Sequence, residues 1–417
     1  MAGREGGSRR RRRPLPPGFG TIWTTVAIDL VGFGIVLPIL PRYAEDLHAT
    51  PGVIGLVVAS FSVAQMIAAP LVGRLSDRIG RKPVLILSLA GTAIGSLVTG
   101  LAGSVWILLL GRIIDGSSGA SVSVAQAAVA DVASPEDRPR LLGLLGAAFG
   151  VGFVVGPAIG ALAAFGGPHV PFLVAALISG VNAIVALRRL PETHPGRTGV
   201  GEPRPAPHDA PDGPMPVEHP MAGFGRVPPG ALRLIGVGFV ALFAFSGFET
   251  TFSLLLEDRF GLTIGSTGAV FAVIGLALVV VQAGFIHPIH AALGEKRTVR
   301  VALGTLSVGL VLLSIDGRWV SLVFALLALV VGQGLVTPTM ASAIAGEAPA
   351  RDRGRVLGYQ QSAGSFARAI GPAAAGFLYG RVGHPAPYLL GAGLAAIAVL
   401  LVPSGRLGTG ERTGSSL

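Results

Sequence analysis

The 417-residue sequence contains no cysteine. That excludes disulfides, thiol catalysis and cysteine metal sites. Charge is scarce as well, at 13% of residues, where a soluble domain carries about 25%. Acids are the scarcer sign, with 22 Asp and Glu against 32 Lys and Arg. No G-x-x-x-x-G-K-[ST] run and no nucleophile–base constellation is present, so ATP hydrolysis and enzyme chemistry are not expected. The one pair of close histidines, His287 and His290, has no acid cluster beside it and reads as an interfacial pair, not a metal site. No cofactor is expected. What abounds is apolar, at 51%. One aqueous core cannot hide that much surface, so the lipid bilayer is the expected solvent. A net charge of +10 would suggest nucleic acid for a soluble protein. Here the arginines fall between apolar runs, so nucleic acid is not an expected partner.

Twelve apolar runs, each near the ~20 residues that cross a bilayer, are expected over 20–41, 53–72, 84–102, 104–130, 141–164, 169–188, 232–255, 266–289, 299–315, 319–345, 357–379 and 386–403. With the N-terminus in the cytoplasm, all but six of the 32 Lys and Arg lie in cytoplasmic segments. The exceptions are Arg42, Arg259, Arg318 and Arg381 outside, and Arg112 and Arg368 within spans. That bias sets the orientation, with both termini cytoplasmic. Arg9 to Arg13 precede a run of full spanning length that contains Asp29, which reads as a retained first helix and not a cleaved signal. Residues 191–230 hold eleven of the 31 prolines and read as an unfolded linker. The expected division is a basic N-tail 1–19, a six-helix bundle 20–190, the linker 191–230, a second six-helix bundle 231–404 and a C-tail 405–417.

An offset of 215 relates the halves. Arg138-x-Arg140-Leu-Leu-Gly143 matches Arg353-x-Arg355-Val-Leu-Gly358, and Gly156-Pro157 matches Gly371-Pro372. Between the second and third runs lies GRLSDRIGRKP, from Gly73 to Pro83, read as a short charged loop. Its Gly73, Leu75, Asp77, Arg78, Gly80, Arg81 and Lys82 match G-x-L-x-D-R-x-G-R-K, the loop signature of the major facilitator superfamily, which the chain thus resembles. The resemblance implies an all-α membrane protein of two six-helix bundles, related by a pseudo-two-fold axis around a central cavity. The counterpart loop near Gly294 lacks the Asp-Arg pair, so the charged gate is expected mainly in the first half.

Arg112, Asp115, Gly116 and Gly119 share one helical face of the fourth span. At ~1.5 Å per residue, Asp29 of the first span comes to a similar depth. An intramembrane arginine faces a partner or a water-filled cavity. Burial opposes a carboxylate's charge and a nearby arginine favours it, which suits such a group to take and release a proton. The expected cluster is Asp29, Arg112 and Asp115, exchanging protons for substrate; a fixed ion pair is the plainer alternative. The run from Arg112 to Ala120, ending at Ala130-Asp131, resembles the fourth-helix motif of drug:proton antiporters, especially the tetracycline-exporter branch. Gly152, Gly156 and Gly160 form a small-residue stripe beside Pro157, and this span resembles the family's antiporter motif. The resemblance therefore implies export of a hydrophobic or amphipathic small molecule by a monomer at the cytoplasmic membrane. An importer or facilitator of a metabolite, and an integral enzyme or channel, stay as alternatives.

Glu249 is read as lining an outward vestibule or as an interfacial acid. Arg368 is read as binding an anionic substrate group or pairing with a carboxylate. Gln126, Gln333 and Gln361 are candidate substrate contacts. On the cytoplasmic side, Asp77 is expected to clasp the N-terminus of the eleventh helix at Arg355 and Gly358 while the cavity faces outward. Asp131 is expected to meet Arg78 or Arg81 behind it.

Overall fold

The computed structural model describes residues 15–119, 121–133, 137–194, 227–315, 318–348 and 353–402. The tails and most of the linker lie outside them, as do the side chains of Arg138, His287 and Arg355. The first half comprises α1 (Phe19–Val36), α2 (Leu40–Asp46), α3 (Pro51–Ile79), α4 (Arg81–Gly100), α5 (Val105–Ser118), α6 (Ser121–Val132), α7 (Arg138–Ala163) and α8 (Val170–Arg189). The second comprises α9 (Pro229–Phe260), α10 (Ile264–Gly284), α11 (Ile286–Leu293), α12 (Glu295–Ser314), α13 (Trp319–Glu347), α14 (Arg353–Arg381) and α15 (Ala386–Leu401).

Ten helical segments among the described residues are long and apolar enough to cross a membrane, with α5 and α6 counted as one. The two remaining expected spans are helices too: α15 is apolar but has 16 residues, and α14 has 29 but carries several polar side chains. Large apolar side chains point outward, among them Leu56, Ile67, Leu87, Leu177 and Val273. Polar ones point in: Arg112 is 2% exposed and Asp115 6%. A water-soluble protein shows the reverse. Proline stands in the first turn of α2, α3, α7, α8, α9 and α15, where its missing N–H costs no helical hydrogen bond.

Several boundaries differ from the expectation. The charged stretch from Gly73 is not a loop. α3 continues as helix through Ile79, and the turn is Gly80 alone, at φ +101°. The stretch is polar enough to look like a loop, but Asp77 and Arg81 stand four apart and pair along the helical direction, which supports the continued helix. The ninth span likewise begins early, at Glu295, just after Gly294 at φ +73°. The first span ends at Val36, two residues before Pro38, and restarts as α2, since proline forbids the continuing hydrogen bond. The linker's first residues, Pro191 to His194, are not free chain; Glu192 docks on the turn at Gly80.

The halves repeat in space. In the first, α1 packs on α7 and α8, and α4 on α5 and α8. In the second, α9 packs on α14 and α15, and α12 on α13 and α15. The halves meet along α3 with α14 and α7 with α10. The tightest of these contacts lie at the end remote from Gly80, here the far face. A Cβ on Gly55 would stand 2.4 Å from the Pro372 carbonyl oxygen, and one on Gly376 2.2 Å from that of Pro51. Gly268 abuts Ala161 at the same end. At the opposite end, the turn face, Gly73, Gly143, Gly146, Gly284, Gly294 and Gly358 have open space where a Cβ would sit.

Candidate functional site

A buried polar cluster lies inside the first half. Arg112 Nη2 stands 3.0 Å from Asp115 Oδ2 and donates to Thr99 Oγ1 at 3.3 Å. Gly95 and Gly111 let α4 and α5 close around this pair, for a Cβ on Gly95 would fall 2.8 Å from the Asp115 Cβ. Asp29 Oδ2 accepts from Ser121 Oγ at 2.5 Å, while its Oδ1 is buried without a partner among the described residues. Asp29 and Asp115 feel one another's charge. All three expected residues thus come into one region. Arg112 and Asp115 are sealed between helices and do not open on the space between the halves. Asp29 keeps an unused acceptor oxygen.

A second group stands where the halves face each other. Glu249 lines a cavity with Leu37, Phe153 and Pro157 of the first half and Phe245, Phe248 and Phe271 of the second. In this structure the far face is closed by the packing of α3 on α14. Arg368 on α14 is exposed, and its charge is the one Glu249 feels. Gln361 is exposed seven residues earlier on the same helix face. Gln333 is buried, donates to Thr337 Oγ1 at 3.3 Å, and leaves its carbonyl oxygen unpartnered. Gln126 is exposed. His290 hydrogen-bonds Thr339 at 2.7 Å, so it tethers α11 to α13.

The far face is closed by charges that sequence reasoning missed. Arg42 on α2 pairs with Glu257 on α9, across the halves, and its Nη1 lies 3.4 Å from Glu45 Oε2. Arg42 is only 9% exposed. Next to this pair Tyr379 donates to Asp258, and the His384 ring stacks on Tyr379 at 4.5 Å. The signal was present in the sequence. Arg42 is one of few cations on the sparsely charged side, and an arginine held there against the orientation bias needs an acid.

At the turn face Arg81 gathers the charges. It donates to Asp77 Oδ1 at 2.5 Å, Asp131 Oδ2 at 2.9 Å and Ser76 Oγ at 2.6 Å. Asp131 therefore meets Arg81, while Arg78 is exposed. Asp77 lies in its own hairpin here, not on α14. Glu192 accepts from the backbone N–H of Arg81, Thr193 and His194, each at 2.9 Å. Burial pushes the Glu192 carboxyl up, but these N–H groups outweigh it and hold it below the ordinary value for glutamate. The second half keeps an equivalent after all. Lys296, 215 residues after Arg81, lies 3.1 Å from Glu347 Oε1. The sequence comparison missed it because aspartate and glutamate exchange and the acid shifts by one residue.

The small-residue stripe has a definite partner. Gly152 and Gly156 pack on Leu30, Val31 and Gly34 of α1, and Gly160 on Ile35 and Ile39. α7 runs unbroken through Pro157. In the second half Gly371 meets Ser246 and Phe243 of α9, and Pro372 meets Gly55 of α3.

The model of the family described as Major Facilitator Superfamily matches residues 22–289 and 285–410. The class C tetracycline resistance protein of Escherichia coli is 30% identical over 398 residues, covering 94% of this chain and 97% of that one. The human major facilitator superfamily domain-containing protein 10 is 32% identical over 384 residues, covering 90% and 82%. Among solved structures, the human organic anion transporter MFSD10 superimposes with a TM-score of 0.67 at 26% identity, covering 93% of this chain and all of that one. A peptide transporter superimposes with a TM-score of 0.71 at 16% identity, covering 94% and 95%, and shows the shared fold alone.

Proposed function

Because the chain belongs to the major facilitator superfamily and is a multi-pass membrane transporter, we propose that it exports a hydrophobic or amphipathic small molecule in exchange for protons. It does so as a monomer in the cytoplasmic membrane, by alternating access, with both termini and the Gly80 turn in the cytoplasm. The carrying observation is a buried acid, Asp29, with an unused oxygen, in a molecule whose halves pack tightly at the far face and hold a cavity between them at Glu249. Tight packing at the far face and open space at the turn face support reading this conformation as inward-open. Rocking one half against the other would then expose the cavity outward.

Asp29 is the proton carrier in this reading. In the middle of a membrane a lone carboxylate is costly and its protonated form is not. Ser121 supports the charged form. Arg112 and Asp115 form a fixed pair beside it, and Asp115 opposes a second negative charge at Asp29. The fixed-pair alternative thus describes Arg112 with Asp115, while Asp29 stays free to change state. Export is supported by the Gly152–Gly160 stripe and by the tetracycline and multidrug resistance proteins among the relatives.

The test is transport into inverted membrane vesicles, with fluorescent amphipathic dyes and an imposed acid-interior gradient. The wild type should accumulate dye and release protons. Asp29→Asn should reduce gradient-driven uptake at least tenfold with unchanged membrane abundance. Uptake that ignores the gradient, or full activity in Asp29→Asn, would sink the proton-exchange reading. Substrate flow only in the opposite direction would make the protein an importer.

A further inference from the structure

α14 shows two neighbours on two of its sides. Toward α3 it presents Pro372, Ala373 and Gly376, which touch Gly55 and Pro51. Toward α9 it presents Ala367, whose carbonyl accepts from Ser246 Oγ at 3.4 Å, and Gly371. Arg368 lies four residues before Pro372 on the stripe that faces α3. It is one turn closer to the turn face, where Gly358 on the same helix has open space. Its side chain is exposed although its position is near the middle of a 29-residue helix. Among the described residues it has no hydrogen-bond or ion-pair partner, and Glu249 is the charge that acts on it. A guanidinium at this depth without a partner is costly unless it faces water or a ligand.

The geometry points to Arg368 as the substrate head-group site, selecting organic anions that carry a carboxylate or sulfonate on an aromatic body. This rests on the transport reading for its biological use, but not for its chemistry. A guanidinium forks onto a carboxylate with two parallel hydrogen bonds. The small cavity beside Glu249 has an apolar wall, with Phe153, Phe245, Phe248 and Phe271 in it, which suits the apolar part of such an anion at its mouth. Glu249 stands in that same wall, half-buried among the phenylalanines. It opposes an anion and would favour a cation. The accessible, unpartnered group is the arginine, so the sign of the site is positive. Gln361, exposed on the same helix face, offers an amide to the same head group. Proton exchange at Asp29 and substrate selection at Arg368 thus fall to different halves.

Binding is measured without any gradient, on purified full-length protein in detergent. The probes are two naphthyl compounds that differ only in the head group, one a carboxylate and one a trimethylammonium. The carboxylate should bind at least tenfold tighter than the ammonium. Arg368→Gln should weaken the carboxylate at least tenfold while leaving the thermal midpoint near that of the wild type, since among the described residues the side chain has no hydrogen bond or ion pair to lose. Glu249→Gln should tighten the carboxylate and weaken the ammonium. Stronger binding of the ammonium, binding of neither probe, or carboxylate binding unchanged in Arg368→Gln would each overturn the assignment. Selective carboxylate binding without proton-driven flux would leave it standing and remove the exchange reading instead.

Discussion

At the scale of single residues, Gly80 decides how the first hairpin closes. Its φ of +101° is open to glycine and strained for other residues. A Cβ there would also fall 2.3 Å from Glu192 Oε2. The glycine thereby admits Glu192 to the N-terminus of α4, where free N–H groups and the helix dipole favour a negative charge. The Glu192 carboxyl is held below its ordinary value, so the sign of its pH dependence follows. Its contribution is fully present above the ordinary glutamate value. It is lost as pH falls through the lowered folded value. Glu192→Gln should cost below about 1 kcal/mol at neutral pH, the range of exposed caps and screened charges. It should also flatten the fall of thermal stability between neutral and acid pH, as read by melting curves in detergent. An unchanged slope would mean that the cap is not ionised when it docks. Nothing in the sequence announced this contact, because Glu192 sits at the start of a proline-rich segment that reads as unstructured.

At the scale of helices, closure of the far face rests on small residues and one ion pair. Gly55 and Gly376 bring the backbones of α3 and α14 together, and Arg42 ties α2 to Glu257 on α9. Removing Glu257 leaves the mostly buried Arg42 without its partner; because Glu257 itself is 37% exposed, solvent screens the pair and the cost falls below the about 3–5 kcal/mol of a fully buried one. The wild-type arrangement therefore favours the closed far face. Glu257→Gln should shift the population toward the state open there. The chain has no cysteine, so a single Gly52→Cys needs no further background change. Its labelling by a membrane-impermeant maleimide from the far side should rise several-fold in Glu257→Gln. Unaltered labelling would show that the pair does not hold the face shut. The helices themselves were legible from the sequence as apolar runs. Their ends were not, because α3, α9, α12 and α14 extend past the apolar stretch on charged residues that a helix tolerates outside the membrane.

At the scale of the whole molecule, the two halves are repeats with the same internal packing and, at the turn face, the same type of ion pair: Arg81 with Asp131, Lys296 with Glu347. Asp77 here belongs to its own hairpin through Arg81. We propose that the expected clasp onto the N-terminus of α14 forms in the opposite conformation, in which the turn face closes. A group that bonds inside one half in one state and across the halves in the other biases the equilibrium only by the difference between the two. Asp77→Asn should weaken the charged bond to the helix N-terminus more than the exposed pair in the hairpin. It should therefore favour the inward-open form. Single-cysteine probes near Gly358 should become more accessible from the turn face; no change would refute the latch.

The sequence by itself determined the solvent, the apolar helical runs, the two-fold repeat and the family. These follow from composition, run length and charge placement, which one chain displays along its length. It also named the buried acid and the arginines that membranes do not tolerate without a reason. Tertiary structure alone decided which of these charges meet. Arg42 crossed to Glu257, Asp131 met Arg81, and Arg368 was left exposed with Glu249 as the charge that acts on it. The physical reason is range. An ion pair forms within about 4 Å, and residues that distant in sequence reach it only once the helices have packed and their rotations about their own axes are fixed.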